Sequence, residues 1–106
     1  MSDKVVISAA LSGGATMKNQ NPAVPYTPEE FAEEAYRAFN SGATVVHIHA
    51  RDVEMGGMPT ADMEKIRPTI EAIRNRCPEL LINMSSAITI GVTPEQRITP
   101  IVEMKP

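Results

Sequence analysis

The sequence predicts an α/β fold in which a parallel sheet is built from repeated strand–helix units. Three short runs rich in branched apolar residues alternate with amphipathic segments, and the segments begin at residues typical of helix N-termini. Strands that alternate with helices of this length pair in parallel through right-handed crossovers. We therefore expect the order strand, helix, strand, helix, strand, followed by a third helical segment.

The first unit comprises a buried strand, a long loop and a helix. Residues Lys4 to Ala10 are almost continuously apolar, which is typical of a strand covered on both faces. A loop containing glycine and proline follows over residues 12–26. The run Thr27-Pro28-Glu29-Glu30 combines an N-cap, a proline at the first helical position and a capping box. Gly42 marks the expected end of this helix. Its expected buried face comprises Phe31, Ala35, Ala38 and Phe39.

The second unit begins with a strand from Thr44 to Ala50. A polar, glycine-rich loop over residues 51–59 leads to a second helix from about Asp62 to Arg76, for which Thr60 is the expected N-cap. Pro68 fits poorly inside a helix because it lacks an N–H donor. We therefore expect a kink there, or a short turn before the main helix.

A third strand, Leu80 to Met84, precedes a second capping signature at Thr93-Pro94-Glu95-Gln96, whose helix we expect Pro100 to interrupt. Three parallel strands alone would leave apolar edges uncovered. A complete (β/α)8 barrel needs about 250 residues. We therefore interpret residues 1–106 as the N-terminal part of a single (β/α)8 TIM-type barrel domain, truncated after three βα units, with the remainder absent.

Composition narrows the classes of partner. The formal net charge is -3, and the basic residues are scattered, so no footprint for nucleic acid is expected. No apolar stretch approaches the roughly 18–20 residues that span a bilayer, so we expect no membrane partner. Cys77 is the only cysteine, which excludes an internal disulfide and fits a reducing compartment. We expect a cytoplasmic location.

Two histidines one residue apart are the most informative feature of the chain. Side chains alternate along a strand, so His47 and His49 project to the same face of the second strand. Two imidazoles on one face can share a metal ion, usually zinc, and catalytic zinc normally takes three protein ligands. The chain has no third histidine, so the third ligand would be a carboxylate, the cysteine or a group outside these residues. Alternatively, the pair is hydrogen-bonded inside a polar barrel interior. The spacing leaves both readings open.

Other polar residues follow the ends of the three strands, where sites in such folds are built. Each also has a simpler interpretation. Arg51 and Asp52 can form a local ion pair, and Ser85 and Ser86 can hold loop backbone groups. The convergence of several strand ends is more informative than any one motif. The residues concerned are Ser12, His47, His49, Arg51, Asp52, Asn83, Ser85 and Ser86.

Several runs, in the same order, resemble the β-keto acid cleavage enzymes, a family that includes the 3-keto-5-aminohexanoate cleavage enzymes. They are Val6 to Gly13, Asn21 to Glu30, Ile82 to Ser86 and above all Gly42 to Asp52. The resemblance implies a zinc-dependent (β/α)8 barrel that converts a β-keto acid and acetyl-CoA into acetoacetate and a new acyl-CoA. It extends over the N-terminal portion of such an enzyme, and full-length members are expected to form homo-oligomers.

The resemblance also implies roles for individual residues. His47 and His49 would be zinc ligands, and Ser85, Ser86 and Arg51 would bind substrate. The family's third zinc ligand, a glutamate, and its proton-transfer residues would lie beyond Pro106. The catalytic residues are therefore expected outside this segment, which alone should be inactive.

Two positions depart from the family pattern. Ala15 stands where the best-known member has an acidic residue that contacts a substrate amino group, which argues against an aminated substrate. Ala87-Ile88 replaces a Gly-Gly pair, which puts main-chain contacts to the substrate in doubt at that point.

Two alternatives to a cleavage enzyme remain at this stage. One is another metal-dependent barrel, a hydrolase or lyase that activates water at the histidine pair. The other is a non-catalytic fragment or assembly module with exposed strand edges. A requirement for acetyl-CoA separates the first from the cleavage enzyme, and dependence of solubility on a C-terminal part tests the second.

Overall fold

The computed structural model describes residues 3–87 and 91–106. A single 3-10 turn, Val53–Met55, accompanies eight strands and helices. These are β1 (Ser8–Ala10), α1 (Pro28–Asn40), β2 (Val45–Ile48), β3 (Arg51–Asp52), β4 (Met58–Pro59), α2 (Met63–Arg76), β5 (Leu81–Met84) and α3 (Pro94–Met104). Among these helices, none combines the length and the apolar character that crossing a membrane requires.

The main sheet contains β1, β2 and β5, in that order, and all its pairs are parallel. Ser8 lies opposite Val45, and Val45 lies opposite Leu81, so each strand pairs with the next main strand along the chain. One helix separates each pair of neighbours. This confirms the predicted α/β fold with a parallel sheet.

The core lies between one face of this sheet and the helices α1 and α2. Val46, Ile48, Ile82 and Met84 alternate along β2 and β5 and are buried. They pack in one cluster with the apolar residues of the helices, chiefly Phe31, Ala35, Ile66, Ile70 and Ile73. The opposite face of the sheet is exposed or half-buried. It carries Ser8, Ala10, Val45, His47, Leu81 and Asn83.

Helix α1 begins as the sequence predicts. The Thr27 hydroxyl accepts a hydrogen bond from the Glu30 N–H at 3.1 Å, and the Glu30 carboxylate accepts one from the Thr27 N–H at 3.1 Å. Two N–H groups that the helix itself cannot pair are thereby satisfied. The helix ends at Asn40 with Ser41 as its C-cap, and Gly42 follows with φ of 112°. The predicted apolar face is also confirmed, with Phe31 and Ala35 fully buried.

The first strand is shorter and more exposed than predicted. It covers only Ser8–Ala10, and the side chains of Val5, Val6 and Ile7 are 80%, 72% and 51% exposed. Within the described residues β1 pairs with β2 alone. Apolar, β-branched composition predicts a strand buried on both faces, but burial needs neighbouring layers that these residues do not contact.

Helix α2 differs from its prediction at its start. Its N-cap is Asp62, whose carboxylate accepts from the Glu64 N–H at 2.9 Å. The hydroxyl of Thr60 instead accepts from the Asp62 N–H at 3.0 Å. Thr60 therefore closes the turn that precedes the helix. Threonine and aspartate can both serve as an N-cap, and Asp62 does so here because its carboxylate lies nearer the first turn.

Both internal prolines lie within continuous helices, so the alternative of a short turn before the main helix at Pro68 and the interruption at Pro100 are wrong, while the kink at Pro68 stays a prediction. A proline removes one N–H donor from its helix. In each helix, a threonine beside the proline donates its hydroxyl to the carbonyl one turn earlier. Thr69 donates to Lys65 at 3.0 Å, and Thr99 donates to Glu95 at 2.7 Å. The threonine hydroxyl thus adds a hydrogen bond to the helix beside the position where proline lacks its N–H donor.

The predicted loop over residues 51–59 contains a small antiparallel hairpin. Arg51 pairs with Pro59 and Asp52 with Met58, and the chain reverses through the 3-10 turn and Gly56-Gly57. The two glycines have φ of 74° and 84°, which side chains disfavour. This hairpin stands directly after β2, at the carboxyl edge of the sheet.

Candidate functional site at the carboxyl ends of the strands

The structure brings the predicted polar residues of β2 and β5 to one edge of the sheet. His47 lies opposite Asn83 in the parallel register. The Ser85 N–H donates to the Ile48 carbonyl at 2.9 Å, which carries the pairing one residue beyond β5. His49 and Ser85 line the same small cleft, together with Thr60 and Met84.

The two imidazoles lie close together. Their ring centroids are 5.2 Å apart and the planes meet at 78°. Both side chains are half-buried. Within residues 3–87 and 91–106, no group of three or more His, Cys, Asp and Glu side chains could hold a metal ion. Catalytic zinc normally takes three protein ligands, and the assignment of His47 and His49 as two of them stays a prediction.

The surroundings of His49 favour a neutral ring. Burial lowers the pKa of His49, and the nearby His47 and Arg51 lower it further. A hydrogen bond with the Ala87 backbone raises this pKa, but by less, so the net pKa is lowered. A neutral imidazole is the form that binds a metal ion. The loop after β1 lies against this ring, because a Cβ at Gly14 would lie 3.2 Å from His49 Cε1.

Arg51 is buried, with 2% of its surface exposed. Its Nη2 donates to the carbonyls of Ser12, Gly13 and Thr16 at 3.1, 2.9 and 3.0 Å. Its Nη1 donates to the Gly57 carbonyl at 2.9 Å. The side chain thus joins the loop after β1 to the hairpin after β2. The role of Arg51 in substrate binding stays a prediction, and the contacts found in the structure are with main-chain carbonyls.

The alternative in which Arg51 and Asp52 form a local ion pair is wrong within the described residues. The carboxylate of Asp52 instead caps the 3-10 turn by accepting from the N–H groups of Glu54 and Met55. It also lies 3.9 Å from the Lys65 ammonium. Adjacent strand residues point to opposite faces, which separates the guanidinium from the neighbouring carboxylate.

Tyr26 and Gly57 complete this region and were not identified from the sequence. The Tyr26 hydroxyl accepts from the Lys18 N–H at 2.8 Å, and the Arg51 guanidinium lies 5.6 Å from the ring centroid. Gly57 packs against the ring so closely that a Cβ would overlap it. The Gly-Gly pair at 56–57 signals a turn, but nothing local in the sequence indicates its tyrosine partner.

The two serines after β5 are half-buried at the rim. The Ser85 hydroxyl accepts from the Ala87 N–H at 3.1 Å, and the Ser86 carbonyl accepts from Arg97 Nε at 2.8 Å. Their predicted substrate contacts stay predictions. Of the two departures from the family pattern, Ala15 is exposed in the loop held by Arg51, and Ile88 of the second lies outside the described residues.

Comparison with known proteins assigns the family. The model of the beta-keto acid cleavage enzyme family matches residues 4–106. A 3-keto-5-aminohexanoate cleavage enzyme of Fusobacterium nucleatum is 44% identical over 94% of the chain, and the chain spans 36% of that protein. A 3-oxoadipate:acetyl-CoA acetyltransferase of Cupriavidus necator is 32% identical over 91% of the chain and 33% of its own length.

The fold comparison agrees with this assignment. The structure of ObcA, solved as a ternary complex with a C4-CoA adduct and oxalate, aligns with 74% of the chain and 20% of its own. The TM-score is 0.62 at 24% identity, which shows a shared fold. The chain spans about a third of the length of these curated relatives. Its candidate site lies at the carboxyl edge of the parallel sheet. This chain belongs to the β-keto acid cleavage enzyme family.

Proposed function

We propose that the full-length protein containing this chain is a zinc-dependent β-keto acid cleavage enzyme. It would convert a β-keto acid and acetyl-CoA into acetoacetate and a new acyl-CoA, as a carbon–carbon-cleaving acyltransferase. The observation that carries the proposal is the pair His47 and His49, 5.2 Å apart at the carboxyl edge of a parallel sheet. Family membership supports it, and one relative is named an acetyl-CoA acetyltransferase.

His47 and His49 would hold the zinc ion with a glutamate from outside this chain. When bound, the ion supplies a Lewis acid that polarises the keto oxygen of the substrate. Two neutral imidazoles leave more positive charge on the ion than thiolates do. The neutral state favoured at His49 is consistent with this role.

Ser85, Ser86 and Arg51 are the proposed substrate-binding residues. Ser85 lines the cleft beside His49, and Ser86 follows it at the rim. Arg51 places a buried positive charge in the same region, which favours a substrate carboxylate. Position 15 is an alanine, so the proposed substrate is a β-keto acid without an amino group there.

The exposed sheet face suggests how the fold is completed. Leu81 is 65% exposed and lies beside Asn83 and His47 on the face opposite the helices. In a closed (β/α)8 barrel this face would be the interior. We therefore retain the first three βα units of a barrel as the architecture, with the residues for proton transfer outside this chain. This segment alone is expected to be inactive, and the cytoplasmic location and homo-oligomer also stay predictions.

The test uses the full-length protein that contains this sequence. We expect about one zinc per chain and acetoacetate release that depends on acetyl-CoA and a β-keto acid. His47→Ala and His49→Ala should each lose both zinc and activity. Asn75→Ala, exposed on the outer helix α2, is the matched control and should keep both.

Two outcomes would overturn the proposal. Stoichiometric metal without a requirement for acetyl-CoA would indicate a hydrolase or lyase that activates water. A protein that binds no metal would give the two histidines a structural role, and membership of the family would then describe ancestry.

A further inference from the structure

The Arg51 guanidinium joins two loops through the main chain. Within the described residues, its terminal nitrogens donate to three carbonyls of the loop after β1 and to one carbonyl of the hairpin after β2. Its Nη1 also lies 3.6 Å from the Met17 sulfur. Such a set of contacts fixes backbone positions, because the accepting atoms belong to the main chain of residues 12–16 and Gly57.

The loop held in this way contacts a predicted metal ligand. Gly14 lies between two of the carbonyls that Arg51 binds, and its backbone faces the His49 ring, 3.2 Å from a Cβ position to Cε1. The hydroxyl of Ser12 donates to the His49 carbonyl at 3.4 Å. The loop therefore touches both the side chain and the main chain of His49. It also carries Ala15, one of the two positions that depart from the family pattern.

We propose that Arg51 is a positioning residue that holds the loop of residues 12–17 against His49, so that the imidazole is kept in its metal-binding orientation. The part of this inference that concerns metal binding by His49 rests on the proposed function. The part that concerns the loop held by Arg51 does not. It differs from the predicted substrate-binding role, since Arg51 would act through the loop and His49.

Lysine cannot replace arginine in this role. The guanidinium is a planar fork with five N–H donors, whereas the lysine ammonium is a single point with three. Arg51 reaches carbonyls of two separate loops, Gly57 with Nη1 and Thr16 with Nη2. Arg51→Lys keeps the positive charge but loses the span, so it separates positioning from simple charge.

The experiment measures hydrogen exchange of the peptide over residues 12–20 and zinc affinity in the full-length protein. Arg51→Lys should speed exchange in that peptide and weaken zinc binding by about 10–100-fold, the range typical of residues that orient a metal ligand. Arg67→Lys, an exposed arginine on α2, should change neither. Thermal unfolding of each variant shows whether the fold is kept.

Gly14→Ala approaches the same contact from the loop. Its methyl group would press on the His49 ring, so zinc should bind more weakly while exchange of the loop stays as in the parent. This variant leaves Arg51 intact and tests the contact between the loop and His49, on which the proposal depends, even if Arg51→Lys fails to fold. If Gly14→Ala bound zinc as tightly as the parent protein does, the contact between the loop and His49 would have no role in metal binding, and the proposal would be refuted.

The remaining outcomes separate this inference from the proposed function. Unchanged loop exchange in Arg51→Lys would overturn it. Faster exchange with parent zinc affinity would show that the loop does not position His49, and would also overturn it. If the parent protein binds no zinc, the proposed function fails, and the exchange data alone decide whether Arg51 holds the loop.

Discussion

Replacing Gly57 by alanine should destabilise the protein more than the same change at its neighbour Gly56. Both glycines have positive φ, 84° and 74°, so each alanine would pay for a left-handed backbone at about 1–2 kcal/mol. At Gly56 the new methyl group would meet nothing within 4 Å. At Gly57 the methyl carbon would overlap the Tyr26 ring. It would lie 2.7 Å from Cδ2 and closer still to Cε2 and Cζ.

The Tyr26 ring is not free to move away. Its hydroxyl accepts from the Lys18 N–H at 2.8 Å, and the cations of Lys18 and Arg51 lie 5.1 and 5.6 Å from its centroid. Overpacking of such a contact typically costs about 1–3 kcal/mol. We therefore expect Gly56→Ala to lower the free energy of unfolding by about 1–2 kcal/mol and Gly57→Ala by about 2–5 kcal/mol.

Urea unfolding of the full-length protein measures both changes. The double variant Tyr26→Ala/Gly57→Ala supplies the internal check, because removing the ring removes the overlap. Relative to Tyr26→Ala alone, the alanine at Gly57 should then cost no more than it does at Gly56. Equal effects of Gly56→Ala and Gly57→Ala in the parent, or no relief in the double variant, would refute the packing argument.

Three further measurements test the scaffold. Thr27→Ala should lower the free energy of unfolding by about 1 kcal/mol through loss of the N-cap of α1, as urea titration would show; no change would remove the cap from the argument. Burial raises the pKa of Glu30, but hydrogen bonds from Lys18 and the backbone lower it more, so the net pKa lies below the ordinary value of a glutamate. Its stabilisation is therefore fully present above the ordinary pKa of a glutamate and lost as the pH falls through the lowered pKa, so the parent should lose more stability on acidification than Glu30→Gln; parallel pH profiles would contradict this. Ile70→Ala should cost about 2–5 kcal/mol at a fully buried site, against less than about 0.5 kcal/mol for the exposed Ile98→Ala, and similar values would place the core elsewhere.

Local chemistry explains what could be predicted from the sequence. The capping boxes at Thr27 and Thr93 satisfy N–H groups within three residues of themselves, and both form. The alternation in β2 likewise places Val46 and Ile48 in the core from the period of a strand alone. The same alternation predicted that His47 and His49 project to one face of the strand, and their ring centroids lie 5.2 Å apart.

The errors arise where distant residues decide. Lys4 to Ala10 reads as buried, but its burial depends on layers that the described residues do not provide. The apparent Arg51–Asp52 pair was wrong because the guanidinium finds carbonyls 35–39 positions earlier in the chain. Sequence patterns carry no signal for such contacts, so the link from Arg51 through the loop to His49 could only be found in three dimensions.

The order of the sheet has a consequence for synthesis on the ribosome. Each main strand pairs with the one that a single helix separates from it, so the partners are only 36 or 37 positions apart. Each pairing must still close a loop with a helix inside it before the strands can bond, so it forms more slowly than a hairpin does. As the chain emerges, β1 and α1 can dock on β2 before β5 is made, and β5 then adds to the free edge of β2. Within the described residues, a nascent chain of this kind exposes two unpaired strand edges to aggregation, that of β1 and that of its latest strand, until further layers cover them.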